Sequence, residues 1–378
     1  MNTLRLVLLA AVLAIAPGAA PARAIDTAAK HAYLVDTRTG AVLLEKNAAE
    51  PMPPASMTKM LTIYMTFERL KDGRFKLDTE LPVTEEAWRT GGSKSFVSIG
   101  SKIRVEDLIR GVIVQSGNDA CVVLAQAMAG SESAFADEMN KKAKELGLTG
   151  SRFKNSTGWP DPDHISTARD LALVARRTIK DFPEYYHYYG ETEFAHGGIR
   201  QANRNPLLYK AMGVDGLKTG HTEASGYGLT ASGVRGERRL VLVVNGLSSD
   251  KERSDESARL MEWGFSEFDN YTLFKAGEVV ESAEVWRGKA AAVPLVAEGE
   301  VLVTLPKAGR DKLRVSVQYQ GPVPAPIAKG RRIATLVIEA PGAGKTELPL
   351  LAGDDVASLG FFGRLTSSVR QMFAGNQN

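Results

Sequence analysis

One stretch of the chain, residues 57–70, is apolar on every side when it is drawn as a helix. Its large apolar side chains do not gather on one stripe; they are Met60, Leu61, Ile63, Tyr64, Met65 and Phe67. Because such a helix has no side suited to water, it belongs in the middle of a domain. Lys59, near the start of this helix, must then be taken out of water, and burial of this kind lowers the pKa of a lysine.

Strand patterns lie at both ends of a group of helix patterns in the first two thirds of the chain. The predicted strands cover residues 31–36, 41–45, 216–222, 228–234 and 239–247. Besides residues 57–70, the predicted helices cover residues 105–114, 119–128, 133–146, a segment capped by Ser166 and ending near residue 179, and residues 254–265. This order predicts an α+β domain, residues 25–268, with helices on an antiparallel sheet.

The sequence changes in character from about residue 269. Short runs of alternating apolar and polar residues follow, at 283–286, 301–305, 313–317 and 333–338. Glycine and proline separate these runs, as in Gly321-Pro322-Val323-Pro324. The pattern predicts a small all-β domain over residues 269–351.

The N-terminal segment, residues 1–24, is typical of a secretory signal peptide. Arg5 precedes a short apolar run, and Ala22-Arg23-Ala24 is a small-x-small cleavage pattern. The apolar run is too short to span a bilayer. A core or amphipathic helix is the alternative, but Pro17 and Pro21 interrupt any continuation. We therefore expect an exported protein that begins near Ile25.

The C-terminal segment, residues 354–378, has the pattern of an amphipathic helix. Its apolar side carries Leu359, Phe361, Phe362, Leu365, Val369, Met372 and Phe373, and Arg364 and Arg370 lie on the opposite side. Arginines and aromatic bulk suit a helix lying in a membrane interface. A helix docked on the protein's own second domain, or a frayed tail, is the alternative.

Composition and charge narrow the class of protein. The chain has 378 residues, of which 44% are hydrophobic and 24% charged, as in soluble globular proteins. Loss of the signal segment removes two arginines and no acid, so the formal net charge falls from +3 to +1, and nucleic acid is not an expected partner. Cys121 is the one cysteine, which excludes an intramolecular disulfide. No Cys/His cluster has metal-ligand spacing, and no metal or cofactor is expected.

The pattern Ser-x-x-Lys occurs three times, as Ser56/Lys59, Ser151/Lys154 and Ser248/Lys251. The second lies in a glycine-flanked turn and the third in a polar loop, whereas the first opens the apolar helix. There the spacing of three places Lys59 on the same face as Ser56. Unpaired N–H groups at a helix start also favour developing negative charge. The pattern predicts a nucleophile with a base beside it; helix capping by Ser56 is the alternative.

Two further motifs follow in order along the chain. Ser116-Gly117-Asn118 lies between two predicted helices, where a turn capped by Asn118 or Asp119 is the alternative. Lys218-Thr219-Gly220 lies on a predicted strand, and Gly220 weakens a strand unless something approaches its backbone closely. A substrate peptide along this edge would explain the glycine, and an ordinary turn is the alternative. Lys218 could also be a second cation that lowers the pKa of Lys59.

The three motifs in this order resemble those of penicillin-binding proteins and β-lactamases. The whole chain resembles the D-alanyl-D-alanine carboxypeptidases among the low-molecular-mass penicillin-binding proteins, the penicillin-binding protein 5/6 group. The likeness is carried by Pro54-Ala55-Ser56-Met57-Thr58-Lys59-Met60, Gln115-Ser116-Gly117-Asn118-Asp119-Ala120, Ser166-Thr167-Ala168-Arg169-Asp170, Asn203-Arg204-Asn205, Val214-Asp215-Gly216-Leu217-Lys218-Thr219-Gly220-His221-Thr222 and Trp263-Gly264-Phe265. It implies a penicillin-recognising serine transpeptidase-like α+β domain, the small β domain and the terminal helix.

The resemblance implies the catalytic roles. The Ser56 hydroxyl attacks the carbonyl of the penultimate D-alanine in a peptidoglycan stem peptide, and Lys59 takes its proton. Ser116 and Lys218 relay a proton to the departing D-alanine. The N–H groups of Ser56 and His221 form the oxyanion hole. Water then hydrolyses the acyl-serine ester.

The resemblance also implies the substrate-binding residues. Asn118 holds the substrate amide, and the strand at Gly220 lies against the peptide. Thr219 and Lys218 meet the terminal carboxylate, and Arg253 is a looser match to a second carboxylate-facing arginine. The expected location is the periplasmic face of the inner membrane, with peripheral attachment through the terminal helix.

β-Lactams are expected to acylate Ser56. Efficient class A β-lactamases place a Glu-x-x-Leu-Asn segment between the second and third motifs to activate water, and residues 158–164 contain no such segment. The sequence therefore predicts a long-lived acyl-enzyme. The alternatives are a D,D-endopeptidase, a weak β-lactamase, or a non-catalytic cell-wall binding protein whose β domain is the functional part.

Overall fold

The computed structural model describes residues 3–9, 25–340 and 344–360. The chain divides into two compact units, Ala24–Ser266 and a second unit made of Met1–Arg23 with Glu267–Asn378. The described helices are α1 (Lys59–Lys71), α2 (Glu85–Arg89), α3 (Val105–Ile113), α4 (Asn118–Ala129), α5 (Glu132–Leu146), α6 (Ala168–Asp181) and α7 (Asp250–Glu267). Short 3₁₀ turns cover Ala55–Thr58, Tyr186–Gly190, Pro206–Tyr209 and Lys307–Lys312.

The described strands follow the same chain order. In the first unit they are β2 (His31–Asp36), β3 (Val42–Lys46), β4 (Glu80–Pro82), β5 (Lys102–Arg104), β6 (Glu193–His196), β7 (Ile199–Ala202), β8 (Val214–Thr222), β9 (Gly226–Arg235) and β10 (Arg238–Leu247). In the second they are β1 (Thr3–Leu9), β11 (Phe268–Phe274), β12 (Val279–Trp286), β13 (Ala292–Ala297), β14 (Val301–Pro306), β15 (Arg314–Gly321), β16 (Val323–Pro324), β17 (Arg332–Ala340) and β18 (Gly344–Ala352).

The first unit is built on a five-stranded antiparallel sheet in the order β3-β2-β10-β9-β8. Alternate residues of each central strand enter different cores. In β2, Leu34 joins the core that contains Leu260 and Met261 of α7, whereas Val35 joins the core that contains α1. Because successive side chains of a strand point to opposite faces, the sheet is covered on both sides. The predicted α+β domain with an antiparallel sheet is confirmed.

Helix α1 lies at the centre of the larger core, as the sequence predicts. Residues 59–67 are buried without interruption. The helix begins two residues later than expected, because Ala55–Thr58 forms a separate 3₁₀ turn before it. Strand β8 lies at the edge of the sheet.

Two expectations about local structure are wrong, and some short elements were not predicted. The cap of α6 is Thr167 rather than Ser166, since the Thr167 hydroxyl accepts a hydrogen bond from the Asp170 N–H at 3.0 Å. The last helix of the unit begins at Asp250, so Lys251 lies on α7 and not in a loop. Sequence reasoning also missed α2 and the two short hairpins β4–β5 and β6–β7, which are too short for a periodic pattern to show.

The second unit is all-β, as predicted. Its main sheet has the order β1-β15-β17-β18-β13-β12-β16, and β11 pairs separately with β14. The core is filled by alternating apolar residues, among them Val293, Leu295, Val317, Leu336 and Leu350. The four alternating runs of the sequence correspond to β12, β14, β15 and β17. Strands β11, β13, β16 and β18 were missed.

The two ends of the chain add one finding each. In the full chain, Thr3–Leu9 forms an edge strand that pairs with β15, a pairing that the sequence did not predict. Removal of residues 1–24 as a signal peptide stays a prediction. The expected start of the terminal helix at residue 354 is wrong, because residues 354–360 are not helical and Val356 and Ser358 form bridges with Ile327 and Gly288. The rest of that predicted helix, 361–378, lies outside the described residues.

Over the described part of the chain, no helix is both long enough and apolar enough to cross a membrane.

The cap of α6 can be tested by substitution. Thr167→Ala removes the oxygen that accepts from the Asp170 N–H, and we expect the first unit to lose about 1 kcal/mol of unfolding free energy. Thr167→Ser keeps the oxygen and should stay much closer to wild type. Denaturant unfolding measures both, and equal stability of Thr167→Ala and Thr167→Ser would show that the hydroxyl does not cap the helix.

Candidate active site

The first motif places a serine hydroxyl against a buried amine. The Lys59 Nζ lies 2.9 Å from the Ser56 Oγ and 2.6 Å from the carbonyl oxygen of Thr157. Ser56 caps no helix. The N-cap position of the 3₁₀ turn is Pro54 and that of α1 is Thr58, and neither residue makes a side-chain cap hydrogen bond. The capping alternative for Ser56 is therefore excluded, and the hydroxyl is left to Lys59.

Lys59 has no exposed surface. Its pKa is lowered from 10.5 to about 8, first by burial and further by the positive charge of Arg204. Cys121, Glu132 and Asp119 oppose this shift. A lowered pKa leaves a useful fraction of the amine neutral near pH 7, and only the neutral amine can accept a proton from a hydroxyl.

Lys218 lies within electrostatic reach of three other cationic side chains. Burial, Lys59, Arg204 and Arg253 all lower the pKa of Lys218. Lys218 is 2% exposed, and its Nζ donates to the carbonyl of Thr219 at 3.1 Å. Lys59 and Lys218 lie within electrostatic reach of each other, as the sequence predicted, and Arg204, to which the sequence gave no role, lowers the pKa of both.

The second motif lies where α3 ends and α4 begins. Ser116 is buried, and its backbone adopts the left-handed conformation with φ 59°. Its Oγ has no hydrogen-bond partner among the described residues. Asn118 does not cap α4, since its amide donates to the Gly91 carbonyl at 2.8 Å. Cys121, one turn further, lies within electrostatic reach of both lysines. The motif therefore presents a buried hydroxyl with no hydrogen-bond partner among the described residues, and α4, which follows it, carries Cys121 within reach of both lysines.

The third motif lies on edge strand β8. Gly220 pairs with Gly228 of β9, and a Cβ at Gly220 would lie 2.9 Å from the Pro54 carbonyl oxygen. The turn that carries Ser56 therefore makes a close approach that requires glycine here. Contact of this strand with a substrate peptide stays a prediction. The glycine brings the nucleophile's turn against the strand that holds Lys218.

The remaining predicted residues border this strand. Thr219 is 5% exposed. The exposed His221 ring stacks on that of its cross-strand partner Tyr227, with 3.9 Å between ring centroids. Arg253 of α7 lies over the same tyrosine at 5.7 Å and pairs with Asp250, and its Nε has no partner among the described residues. Burial lowers the pKa of Arg253.

Several residues of the site were given no role from the sequence. Arg204 donates to the Ser93 hydroxyl at 2.6 Å, and the Ser93 carbonyl accepts from the Asn118 N–H. The Thr157 carbonyl is a backbone group and has no signature in sequence. The Asn203-Arg204-Asn205 run was noted only as part of the family resemblance. Asn203 and Asn205 each accept a nearby backbone N–H, as turn-forming asparagines do, and this pattern could have pointed to a fixed position for Arg204.

A cavity of about 320 Å³ adjoins the nucleophile's turn. Its walls are mostly apolar and come from Pro53, Pro54, Ala55, residues 158–162, His164, Ile165, Thr222 and Ala224. Trp159 also packs on the glycines of the neighbouring loop, where a Cβ at Gly92 would lie 2.9 Å from the indole. The arrangement joins a hydroxyl, a base and an excess of positive charge beside a sheet edge, which suits attack on an acyl group next to an anion.

Comparison with known proteins identifies families whose chemistry agrees with attack on an acyl group. Residues 18–249 match the family described as D-alanyl-D-alanine carboxypeptidase, peptidase family S11. Residues 268–358 match the family described as the C-terminal domain of penicillin-binding protein 5. The two matches correspond to the two units of the structure.

Relatives align over nearly the whole chain. D-alanyl-D-alanine carboxypeptidase DacC of Escherichia coli is 40% identical over 348 residues, 90% of this chain and 87% of that protein. DacA of the same organism is 36% identical over 353 residues, 91% and 88% of the two chains. The crystal structure of penicillin binding protein 5 from Haemophilus influenzae is 35% identical, covers 90% of this chain and 100% of that one, and superposes with a TM-score of 0.80. The chain therefore belongs to the serine-type D-alanyl-D-alanine carboxypeptidases of peptidase family S11.

Proposed function

We propose that this enzyme removes the terminal D-alanine from peptidoglycan stem pentapeptides through an ester on Ser56. One observation carries the proposal: a fully buried lysine amine lies 2.9 Å from the Ser56 hydroxyl. Family membership supplies the reaction class, and the buried pair supplies the means of activating the nucleophile.

The proposed first step transfers the acyl group. The Ser56 oxygen bonds to the carbonyl carbon of the penultimate D-alanine, and its proton passes to the neutral Lys59 amine. The bond to the terminal D-alanine nitrogen then breaks, and that nitrogen receives a proton through Ser116 and Lys218. The unpaired Ser116 hydroxyl and the lowered pKa of Lys218 support this relay. Water then attacks the ester, and Ser56 recovers its proton.

The proposed substrate-binding site lies along strand β8 and includes its cationic neighbours. Thr219, Lys218 and Arg253 receive the terminal carboxylate, where positive charge is in excess. The Asn118 amide and the β8 backbone at Gly220 hold the peptide. The N–H groups of Ser56 and His221 receive the developing oxyanion.

Three alternatives differ in their products or in their chemistry. A D,D-endopeptidase would cut a cross-linked dimer, and a weak β-lactamase would release hydrolysed penicillin repeatedly. A non-catalytic cell-wall binding protein would form no ester. The local chemistry argues against rapid release of penicillin, because no carboxylate is placed to activate water. Among the described residues, no carboxylate hydrogen-bonds Ser56 or Lys59, and Asp161 and Asp163 of the adjoining loop are exposed.

Mass spectrometry of the intact protein tests the nucleophile. After brief exposure to benzylpenicillin, we expect one added penicillin that persists after the free drug is removed, because no carboxylate is placed to activate water. Ser56→Ala should show no adduct and no carboxypeptidase activity. Ser248→Ala is the matched control, since it alters another Ser-x-x-Lys pair whose hydroxyl bonds Glu252. An adduct on Ser56→Ala protein would overturn the assignment, and loss of the wild-type adduct within seconds would favour the β-lactamase alternative.

The pH dependence tests the base. Because the pKa of Lys59 is about 8, kcat/KM for a peptide ending in D-Ala-D-Ala should rise about tenfold per pH unit up to about pH 8 and then level. Arg204→Gln removes a cation that lowers this pKa, so the acid limb should move to higher pH. Arg200→Gln, which alters an exposed arginine paired with Glu193, should leave the limb in place. A limb that Arg204→Gln does not move would show that another group controls it.

We also propose export to the periplasm and peripheral attachment to the inner membrane through a helix within residues 361–378. The amphipathic pattern of that segment supports this proposal. Deletion of residues 361–378 leaves the Val356 and Ser358 bridges in place, so the second unit should stay folded. We expect the full chain to sediment with membranes and the truncated chain to remain in the soluble fraction. Sedimentation of the truncated chain would place the anchor elsewhere.

A further inference from the structure

His164 is a buried residue at the contact between a loop of the active site and the 3₁₀ turn, Ala55–Thr58, that carries Ser56. It belongs to the site loop, residues 155–165, and is 2% exposed. Its Nε2 lies 2.8 Å from the Thr58 Oγ1, and its Nδ1 receives the Lys154 N–H at 3.2 Å. Its ring packs edge-on against Phe153. The imidazole therefore has a protein partner on each nitrogen.

These partners fix the tautomer of His164. A backbone N–H can only donate, so Nδ1 carries no proton, and in the neutral ring the proton is on Nε2. Nε2 then donates to the Thr58 hydroxyl. The charged groups that face the ring are Asp161 on its own loop and Lys59 on α1. Burial and Lys59 lower the pKa of His164 to about 4 against the effect of Asp161, so the ring is neutral at neutral pH.

The hydrogen bond between His164 and Thr58 bears on the nucleophile because of where Thr58 lies. Thr58 follows Ser56 in the 3₁₀ turn and directly precedes Lys59. The site loop touches that turn a second time at Gly158, where a Cβ would lie 1.8 Å from the Ala55 carbonyl oxygen. The loop thus meets residues 55–58 at Gly158 through a close backbone contact and at His164 through a hydrogen bond to Thr58.

The same loop supplies the acceptor for the Lys59 amine. The Thr157 carbonyl lies 2.6 Å from Nζ, and the neighbouring Ser156 carbonyl accepts from Thr62 of α1 at 2.7 Å. Asn155 orders this end of the loop by accepting from the N–H groups of residues 157–159. A shift of the loop relative to the turn would therefore move the carbonyl that holds Lys59 beside Ser56.

We propose that His164 is a positioning residue: by donating from Nε2 to Thr58, it fastens the site loop to the nucleophile's turn and keeps the Thr157 carbonyl on Lys59. The inference rests on the proposed roles of Ser56 and Lys59. Because misplacement of a reacting group by about 1 Å can cost about a hundredfold in rate, the bond has a measurable effect on acylation.

Two near-isosteric substitutions separate the two bonds of the ring. An asparagine amide reaches the place of Nδ1, so His164→Asn keeps the acceptor for Lys154 and loses the donor to Thr58. A glutamine amide reaches the place of Nε2, so His164→Gln keeps the donor and loses the acceptor. Thr58→Val removes the same Thr58–His164 bond from the other side.

The measurement is the rate constant for acylation by benzylpenicillin, with thermal unfolding recorded for each variant. We expect His164→Asn and Thr58→Val to be slower than wild type by between about tenfold and about a hundredfold. His164→Gln should stay within about threefold of wild type. The double variant Thr58→Val/His164→Asn should be no slower than either single variant, because both remove one bond.

The pH profile separates positioning from general destabilisation. A carbonyl acceptor favours the charged amine, so its displacement should lower the pKa of Lys59 further and move the acid limb of His164→Asn to lower pH. The other charged or titratable groups that act on Lys59 are Cys121, Arg204, Glu132, Asp119 and Lys218, and none of them is changed in these variants. Loss of folded protein alone would lower the rate without moving the limb.

The outcomes distinguish the inference from the proposed function. If wild type is acylated and Ser56→Ala is not, the function stands. Wild-type rates in His164→Asn, additive effects in the double variant, an unmoved limb, or His164→Gln as slow as His164→Asn would then each overturn the positioning role alone. Should His164→Asn not fold, Thr58→Val and His164→Gln decide the question.

Discussion

The burial of the Lys59 amine beside the Ser56 hydroxyl is the interaction on which the site depends. An ammonium group without water is costly unless its pKa falls or partners accept its protons. Both occur here: the pKa is lowered to about 8, and the Thr157 carbonyl and the Ser56 hydroxyl receive the amine. A surface lysine would stay protonated and could not act as a base. The central place of α1 in the core is thus a requirement of the chemistry as well as of packing.

The surrounding elements can be understood from that requirement. Gly220 removes a side chain from β8 so that the turn carrying Ser56 can lie against the strand. Gly158 does the same for the site loop, which brings the Thr157 carbonyl to the amine. Arg204 lowers the pKa of both Lys59 and Lys218, and Arg253 also lowers that of Lys218. Arg253 is in addition part of the proposed binding site for the substrate carboxylate, so the same positive charge acts on the lysines and on the proposed substrate.

Much of the fold could be predicted because its signals are local and periodic. The all-round apolar pattern of α1, the apolar strand-forming runs of β2 and β10 and the change of character near residue 269 each report on burial within a few residues. The short elements α2, β6 and β7 were missed because each spans at most two repeats of the helix or strand period, too few for a periodic pattern to be recognised. The cap of α6 was misassigned because Ser166 and Thr167 are both good cap residues and only backbone geometry selects Thr167.

The sequence by itself determined the residue types and their spacing: a serine three residues from a lysine on an apolar helix, followed by two polar motifs in a family-specific order. It could not determine which distant groups would meet them. Arg204, the Thr157 carbonyl and His164 act through space, and a carbonyl oxygen is present in every residue. Tertiary structure alone decided that Arg204 acts on Lys59, that Gly220 makes room for the nucleophile's turn, and that the site loop is fastened to Thr58. The reason is that electrostatic and steric contacts depend on distance in the folded chain, which spacing along the sequence does not specify.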